Sequence, residues 1–130
     1  MHVLDASAAV ELLLGTPKGA HVAVLIDAET SLHAPELLGL EVASVLRRLV
    51  RTGEIEAAGG RAALADLSAL GIEMYSHDLL LGRIFELRDV LTAYDAAYVV
   101  LAEALGANVL TCDAKFAGAT GHHAKFTLVA

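Results

Sequence analysis

The chain has no tryptophan, one cysteine (Cys112), two prolines and only three Phe and three Tyr. A single Cys excludes a disulfide scaffold. So few aromatic rings argue against a stacking platform for single-stranded nucleic acid. Positive charge is also scarce: nine Lys and Arg stand against sixteen Asp and Glu, a net charge of −7. A basic surface that coats nucleic acid is therefore excluded, although a local nucleic-acid site is not. No apolar run reaches the ~18 residues that a membrane span needs. The apolar N-terminus lacks a basic leader region and carries Asp5 and Glu11, so it does not read as a signal peptide. A soluble, cytoplasmic protein with no membrane association is expected. The phosphate cradles G-x-G-x-x-G and G-x-x-x-x-G-K-[ST] are missing, as are H-E-x-x-H and G-x-S-x-G, which removes the common nucleotide, zinc-protease and serine-hydrolase signatures.

What remains is an apolar chain. Hydrophobic residues make up 56% of its 130 positions and charged residues 19%. Disorder is excluded, and the length predicts one domain over 1–130. The apolar excess also points to a buried subunit interface. Periodicity predicts strands at His2–Asp5, Leu32–His33, Ile72–Tyr75, Asn108–Thr111 and Phe126–Val129. Helices are predicted at Ser7–Leu14, Gly19–Ala28, Pro35–Thr52, Glu54–Leu70, Asp78–Asp89 and Thr92–Leu105. Pro35 reads as the first helical residue of its segment, and Gly15, Gly53 and Gly106 read as stops. Short strands alternating with longer helices specify an α/β fold with a mostly parallel sheet and helices on both faces. In such sheets the functional crevice lies at the carboxyl ends of the strands.

Four carboxylates stand in unusual places. Asp5 closes the first strand in V-L-D-A-S, and Asp113 follows a later one in V-L-T-C-D. Each is equally readable as a turn or helix cap. Asp95 is the only charged side chain in the ten-residue run A-Y-D-A-A-Y-V-V-L-A. A helix apolar all round is a buried one, where an ionised carboxylate needs a partner, a hydrogen bond or a metal. Thr92-x-x-Asp95 also matches a capping box. Glu41 falls at the boundary between the apolar face of its helix (Leu38, Val42, Val45, Leu46, Leu49) and the polar one, where a solvated role is the ordinary reading. If the four converge, a hard divalent cation would relieve their mutual repulsion and activate a water against a phosphodiester.

These residues carry a resemblance. V-L-D-A-S-A-A-V around Asp5, P-E-L-L-G-L-E-V-A-S-V-L around Glu41, L-T-A-Y-D-A-A-Y-V-V-L-A-E around Asp95 and V-L-T-C-D-A-K-F around Asp113 resemble the PIN-domain family. Within it they resemble the VapC-type toxin ribonucleases of toxin–antitoxin pairs. The order and the spacings of 36, 54 and 18 residues (41 − 5, 95 − 41, 113 − 95) fit over essentially the whole chain. The resemblance implies a three-layer α/β/α sandwich and a Mg²⁺- or Mn²⁺-dependent endoribonuclease. Asp5, Glu41, Asp95 and Asp113 would form its catalytic and metal-binding site. Asp5 and Asp95 would ligate directly, Asp113 directly or through water, and Glu41 would orient or deprotonate the attacking water. Ser7 and Thr111 match its supporting hydroxyls. The resemblance further implies a homodimer and a VapB-type antitoxin partner.

One departure is visible. Many members carry another acid just after the equivalent of Asp113, where this chain reads Ala114-Lys115-Phe116, which leaves one-metal and two-metal chemistry both open. RNA contacts are expected from Arg47, Arg48, Arg51 and Lys115, each of which also reads as a solvated surface charge. His122, His123 and Lys125 read mainly as loop, Cys112 as a buried small hydrophobe, Tyr94 and Tyr98 as packing residues and Glu103 as structural. Two other readings stay open: a PIN nuclease of RNA processing, and a non-catalytic α/β binding or signalling module.

Overall fold

A computed structural model describes residues 1–27, 29–116 and 118–130. Among them, five strands form one parallel sheet in the order β3-β2-β1-β4-β5. They are β1 (His2–Leu4), β2 (Leu32–Pro35), β3 (Glu73–Tyr75), β4 (Asn108–Thr111) and β5 (Lys125–Leu128). The central pair is apolar on both faces, with Val3, Leu4, Val109 and Leu110 fully buried, as a sheet covered on both sides requires.

The helices are α1 (Ala6–Leu14), α2 (Pro17–Leu25), α3 (Leu37–Arg51), α4 (Ala57–Ala69), α5 (Leu81–Glu86) and α6 (Ala93–Leu105). The chain steps from β1 to β2 to β3 in one direction, then returns past β1 to β4. Because crossovers between parallel strands are right-handed, the reversal puts α5 and α6 on the face opposite α1–α4. The contacts follow suit: α1 packs on β4 and α3 on β2, while α6 crosses β1, β2 and β4. The result is the expected three-layer α/β/α sandwich. Its topological switch lies between β1 and β4, which places a crevice outside their carboxyl ends.

Several boundaries differ from the sequence reading, each for a local reason. Pro35 does not start α3. It ends β2 opposite Tyr75, beyond the last β1 pairing at His33, where its missing N–H costs no ladder bond. The freed amide at the start of α3, that of Leu37, donates to His77 Nε2 at 3.0 Å. Helix α2 begins two residues early, at Pro17, because Thr16 caps it by accepting from the Gly19 amide. Its expected end at Ala28 lies outside the described residues. Asp78–Asp89 splits into a 3₁₀ turn (Asp78–Leu80) and the short α5. The stops at Gly15 and Gly106 hold, both in the left-handed region with φ of 65°, where only glycine sits without strain. Gly19 has another use: a Cβ there would meet the Glu11 carbonyl oxygen, so α2 lies directly against α1.

Candidate active site

The sheet register assembles the first half of the site. Leu4 pairs with Leu110, so the next residues, Asp5 and Thr111, leave adjacent strands side by side. Asp5 is 2% exposed. Its Oδ2 accepts from Thr111 Oγ1 at 2.6 Å, and its Oδ1 accepts from Ser7 Oγ at 2.7 Å and from the Ala8 amide at 3.0 Å. The last bond makes Asp5 the N-cap of α1, so the capping role and a place in the crevice coexist in one residue. The two hydroxyls accept in turn from the backbone: Ser7 Oγ from the Cys112 amide at 2.9 Å, and Thr111 Oγ1 from the Asp113 amide at 3.0 Å. Each hydroxyl thus accepts from the backbone and donates to Asp5, while the two lie 3.2 Å from one another. Burial outweighs these donors and leaves the Asp5 carboxyl above its ordinary pKa, an energetic opening for a cation.

Asp95 arrives from the other helical layer. Thr92 caps α6 by accepting from the Asp95 amide at 3.2 Å, which is one half of the capping box. The Asp95 carboxylate, 21% exposed, pairs instead with Lys115 Nζ at 2.9 Å. Behind it, α6 is buried continuously from Ala96 to Ala102, as its all-apolar sequence requires. Asp113 faces the same ammonium at 3.7 Å, while its Oδ1 accepts from the Lys115 amide at 2.9 Å.

Glu41 completes the set. It is partly buried and accepts a 2.6 Å hydrogen bond from the phenol of Tyr98, itself 2% exposed. Burial, then Glu41, then the charges of Asp5 and Asp95 push the Tyr98 phenol far above its usual pKa. A phenol so held keeps its proton and remains a fixed donor. The charges of Asp5 and Asp95 act on both Tyr98 and Lys115. Burial alone would lower Lys115; Asp95, Asp5 and Asp113 together raise it above the ordinary lysine value.

An open cleft of about 520 Å³ runs past Ser7, Glu41, Asp113 and Lys115. Glu11 and Arg48 line it too. Arg47 and Arg51 do not reach it; they border a second groove between α3 and α4, with Arg61. The helical repeat explains the split, since Glu41, Ser44, Val45 and Arg48 form one stripe at i, i+3, i+4 and i+7.

Three readings change. Lys115 is exposed, as a surface charge is, and in addition pairs with Asp95 and faces Asp113. Tyr98 packs as expected and also holds Glu41. Glu11 adds a carboxylate that sequence reasoning passed over, although Ser7 and Glu11 stand four apart on α1. Glu103 is structural, receiving two guanidinium bonds from Arg83 at 3.1 Å and the His123 amide at 2.7 Å.

Comparison with known proteins identifies the family. The PIN-domain model matches residues 2–121. The chain belongs to the PIN-domain family. Ribonuclease VapC12 of Mycobacterium tuberculosis is 41% identical over 130 residues, covering all of both chains. The crystal structure of PAE2754 from Pyrobaculum aerophilum superposes with a TM-score of 0.69 at 26% identity, over 96% of this chain and 82% of that one. A toxin–antitoxin complex from Klebsiella pneumoniae shares the fold, with a TM-score of 0.65 at 16% identity over 91% of this chain and 92% of that one. Within the PIN family the chain falls among the VapC ribonucleases. Its all-oxygen donor set suits a hard divalent cation, and an ammonium already sits against two members of it. Among the described residues, no three metal-ligating side chains are gathered closely enough to hold an ion.

Proposed function

We propose that this PIN domain is a divalent-cation-dependent endoribonuclease toxin, using Mg²⁺ or Mn²⁺, held in check by a VapB-type antitoxin. The observation that supports the reading is the Lys115 ammonium held 2.9 Å from Asp95 and 3.7 Å from Asp113, beside the end of β1 where Asp5 is buried and the cleft that Glu41 lines, a place already attractive to a cation. Asp5, Asp95 and Asp113 would hold the ion. When bound, it supplies Lewis-acid stabilisation of charge on the phosphodiester and lowers the pKa of water. Ser7 and Thr111 fix both oxygens of Asp5. Tyr98 fixes Glu41, whose carboxylate orients the attacking water and takes its proton. Arg48, which lines the cleft with Glu41, would meet an RNA phosphate. Such contacts position RNA without selecting sequence.

The partner readings have support of different kinds. The antitoxin is supported by membership among the VapC ribonucleases. The homodimer is favoured by exposed apolar side chains on the 3₁₀ turn, α5 and the start of α6, where Leu79, Leu81, Phe85 and Tyr94 are 96%, 56%, 67% and 66% exposed. Sedimentation of the purified chain checks the dimer, and a monomer at tens of micromolar would contradict it. Among the described residues, no helix is long and apolar enough to cross a membrane.

Cleavage of end-labelled total RNA tests the activity. Discrete fragments are expected with Mg²⁺ or Mn²⁺, their loss in EDTA, and their return when excess metal is restored. Cleavage unaffected by EDTA would remove the metal from the mechanism. No cleavage by folded, antitoxin-free protein with either ion would favour a non-catalytic role.

A further inference from the structure

The lysine in the acid cluster has a consequence for metal binding. Lys115 Nζ stands 2.9 Å from Asp95 Oδ1 and 3.7 Å from Asp113 Oδ2. Its backbone is anchored rather than loose. The Lys115 amide bonds Asp113 Oδ1, and the next residue, Phe116, is 2% exposed and stacks on Phe126 with ring centroids 5.1 Å apart. The ammonium also lies 5.1 Å from the Phe116 ring centroid. The 3₁₀ turn Ala114–Phe116 thus presents the lysine to the carboxylates as a fixed feature of the fold. The side chain remains 39% exposed, so it has an outlet to solvent.

We propose that Lys115 is an internal counter-cation that occupies the carboxylate centre of the metal-free protein and must be displaced by the divalent ion, so that it sets the metal affinity of the site. The inference rests on the reading of the cleft as a divalent-cation centre. Two arguments carry it. First, clustered carboxylates repel one another unless a cation lies among them, and Lys115 supplies one positive charge where Asp5, Asp95 and Asp113 are felt together. Second, the two cations compete for the same oxygens. A magnesium ion draws its ligands to about 2.0–2.1 Å, and an ammonium bonded to Asp95 Oδ1 stands in the way of that approach. Lys115 therefore stabilises the empty site and weakens the filled one, the role of a competing ligand built into the chain. Such a device also restrains an acid cluster from scavenging metal indiscriminately, because only an ion that binds well enough to expel the lysine enters.

The test is Mn²⁺ binding, read from the electron paramagnetic resonance signal of the free ion, on the wild-type chain, Lys115→Met, Asp95→Asn and Lys125→Met. Methionine keeps most of the stem and removes the charge, and Lys125 on β5 controls for net charge. Lys115→Met is expected to bind Mn²⁺ about tenfold or more tightly than wild type, the worth of one charge-assisted hydrogen bond. Lys125→Met should match wild type, and Asp95→Asn should lose the site. The melting temperature of metal-free Lys115→Met should fall, and its rise on adding Mn²⁺ should exceed that of wild type. Equal or weaker Mn²⁺ affinity in Lys115→Met overturns the inference while leaving the metal centre standing. A raised KM for RNA with unchanged Mn²⁺ affinity likewise overturns it, in favour of a phosphate contact. Absence of Mn²⁺ binding to both wild type and Lys115→Met overturns the inference and the metal centre together.

Discussion

Asp5→Asn is expected to lower RNA cleavage on the order of 10³-fold and to leave the protein as stable as before, or more so. The activity loss follows from removing an anionic oxygen from the cation site: metal catalysis is worth several kcal/mol, and each ~1.4 kcal/mol is tenfold in rate. The stability follows from the carboxylate's surroundings. Asn still caps α1, since it ranks with Asp at an N-cap, and it fills the same volume; its NH2 donates to the Thr111 hydroxyl, which turns its own proton toward the Asp113 carbonyl 3.4 Å away. The folded protein holds the Asp5 proton more tightly than the unfolded chain, because burial raises its pKa. Rising pH through the carboxylate range therefore costs the metal-free wild type stability. Above that range Asp5→Asn escapes the cost, and the wild type recovers the difference as pH falls back through it. Thermal denaturation in EDTA across that range, beside the cleavage assay, measures both halves. A variant that loses activity by unfolding would make Asp5 a structural cap and no more.

Tyr98→Phe is expected to lower kcat about 10- to 100-fold, the usual cost of deleting a group that orients a metal-site or catalytic ligand. Tyr98 touches no substrate in this account; it positions Glu41 through the 2.6 Å phenol bond. The ring stays, so the core around a 2% exposed side chain keeps its volume. Lost stability should stay within the ~1.5–3 kcal/mol of a single hydrogen bond to a charged group. The discriminating readout is the KM-against-kcat split: a positioning role lowers kcat with KM for RNA nearly unchanged. Wild-type kcat in Tyr98→Phe would reduce the residue to packing.

Much of this arrangement is legible in the residues alone. The two-sided apolar strands and the all-apolar α6 specify a covered parallel sheet. Carboxylates stranded at strand ends or in an apolar helix mark a crevice before its geometry is known. What escapes is set by tertiary context. Pro35 looks like a helix opener because that is its commonest helical place, yet the end of the β1 ladder makes a strand end equally free of cost. Tyr98 looks like packing because nothing local shows that its hydroxyl meets Glu41, 57 residues away in sequence. Lys115 looks solvated because its partner Asp95 comes from a helix in the opposite layer. Arg47, Arg48 and Arg51 cannot be sorted by composition; one helical stripe separates the residue that faces the cleft from the two that do not. Long-range pairings of single polar atoms leave no periodic trace, and they account for most of what the chain concealed.

The measurement that tests the central claim most directly is RNA cleavage by Asp95→Asn beside wild type, at equal concentrations of folded protein with Mg²⁺. Asp95 is the carboxylate bound to the internal ammonium, and its amide, not its side chain, makes the cap bond to Thr92. Asn therefore leaves the helix start intact and removes only the charge. The account expects wild type to yield discrete fragments and the variant to yield none above the EDTA background. Fragments of the same pattern and rate from folded Asp95→Asn would contradict it, and the catalytic centre would have to lie elsewhere on the molecule.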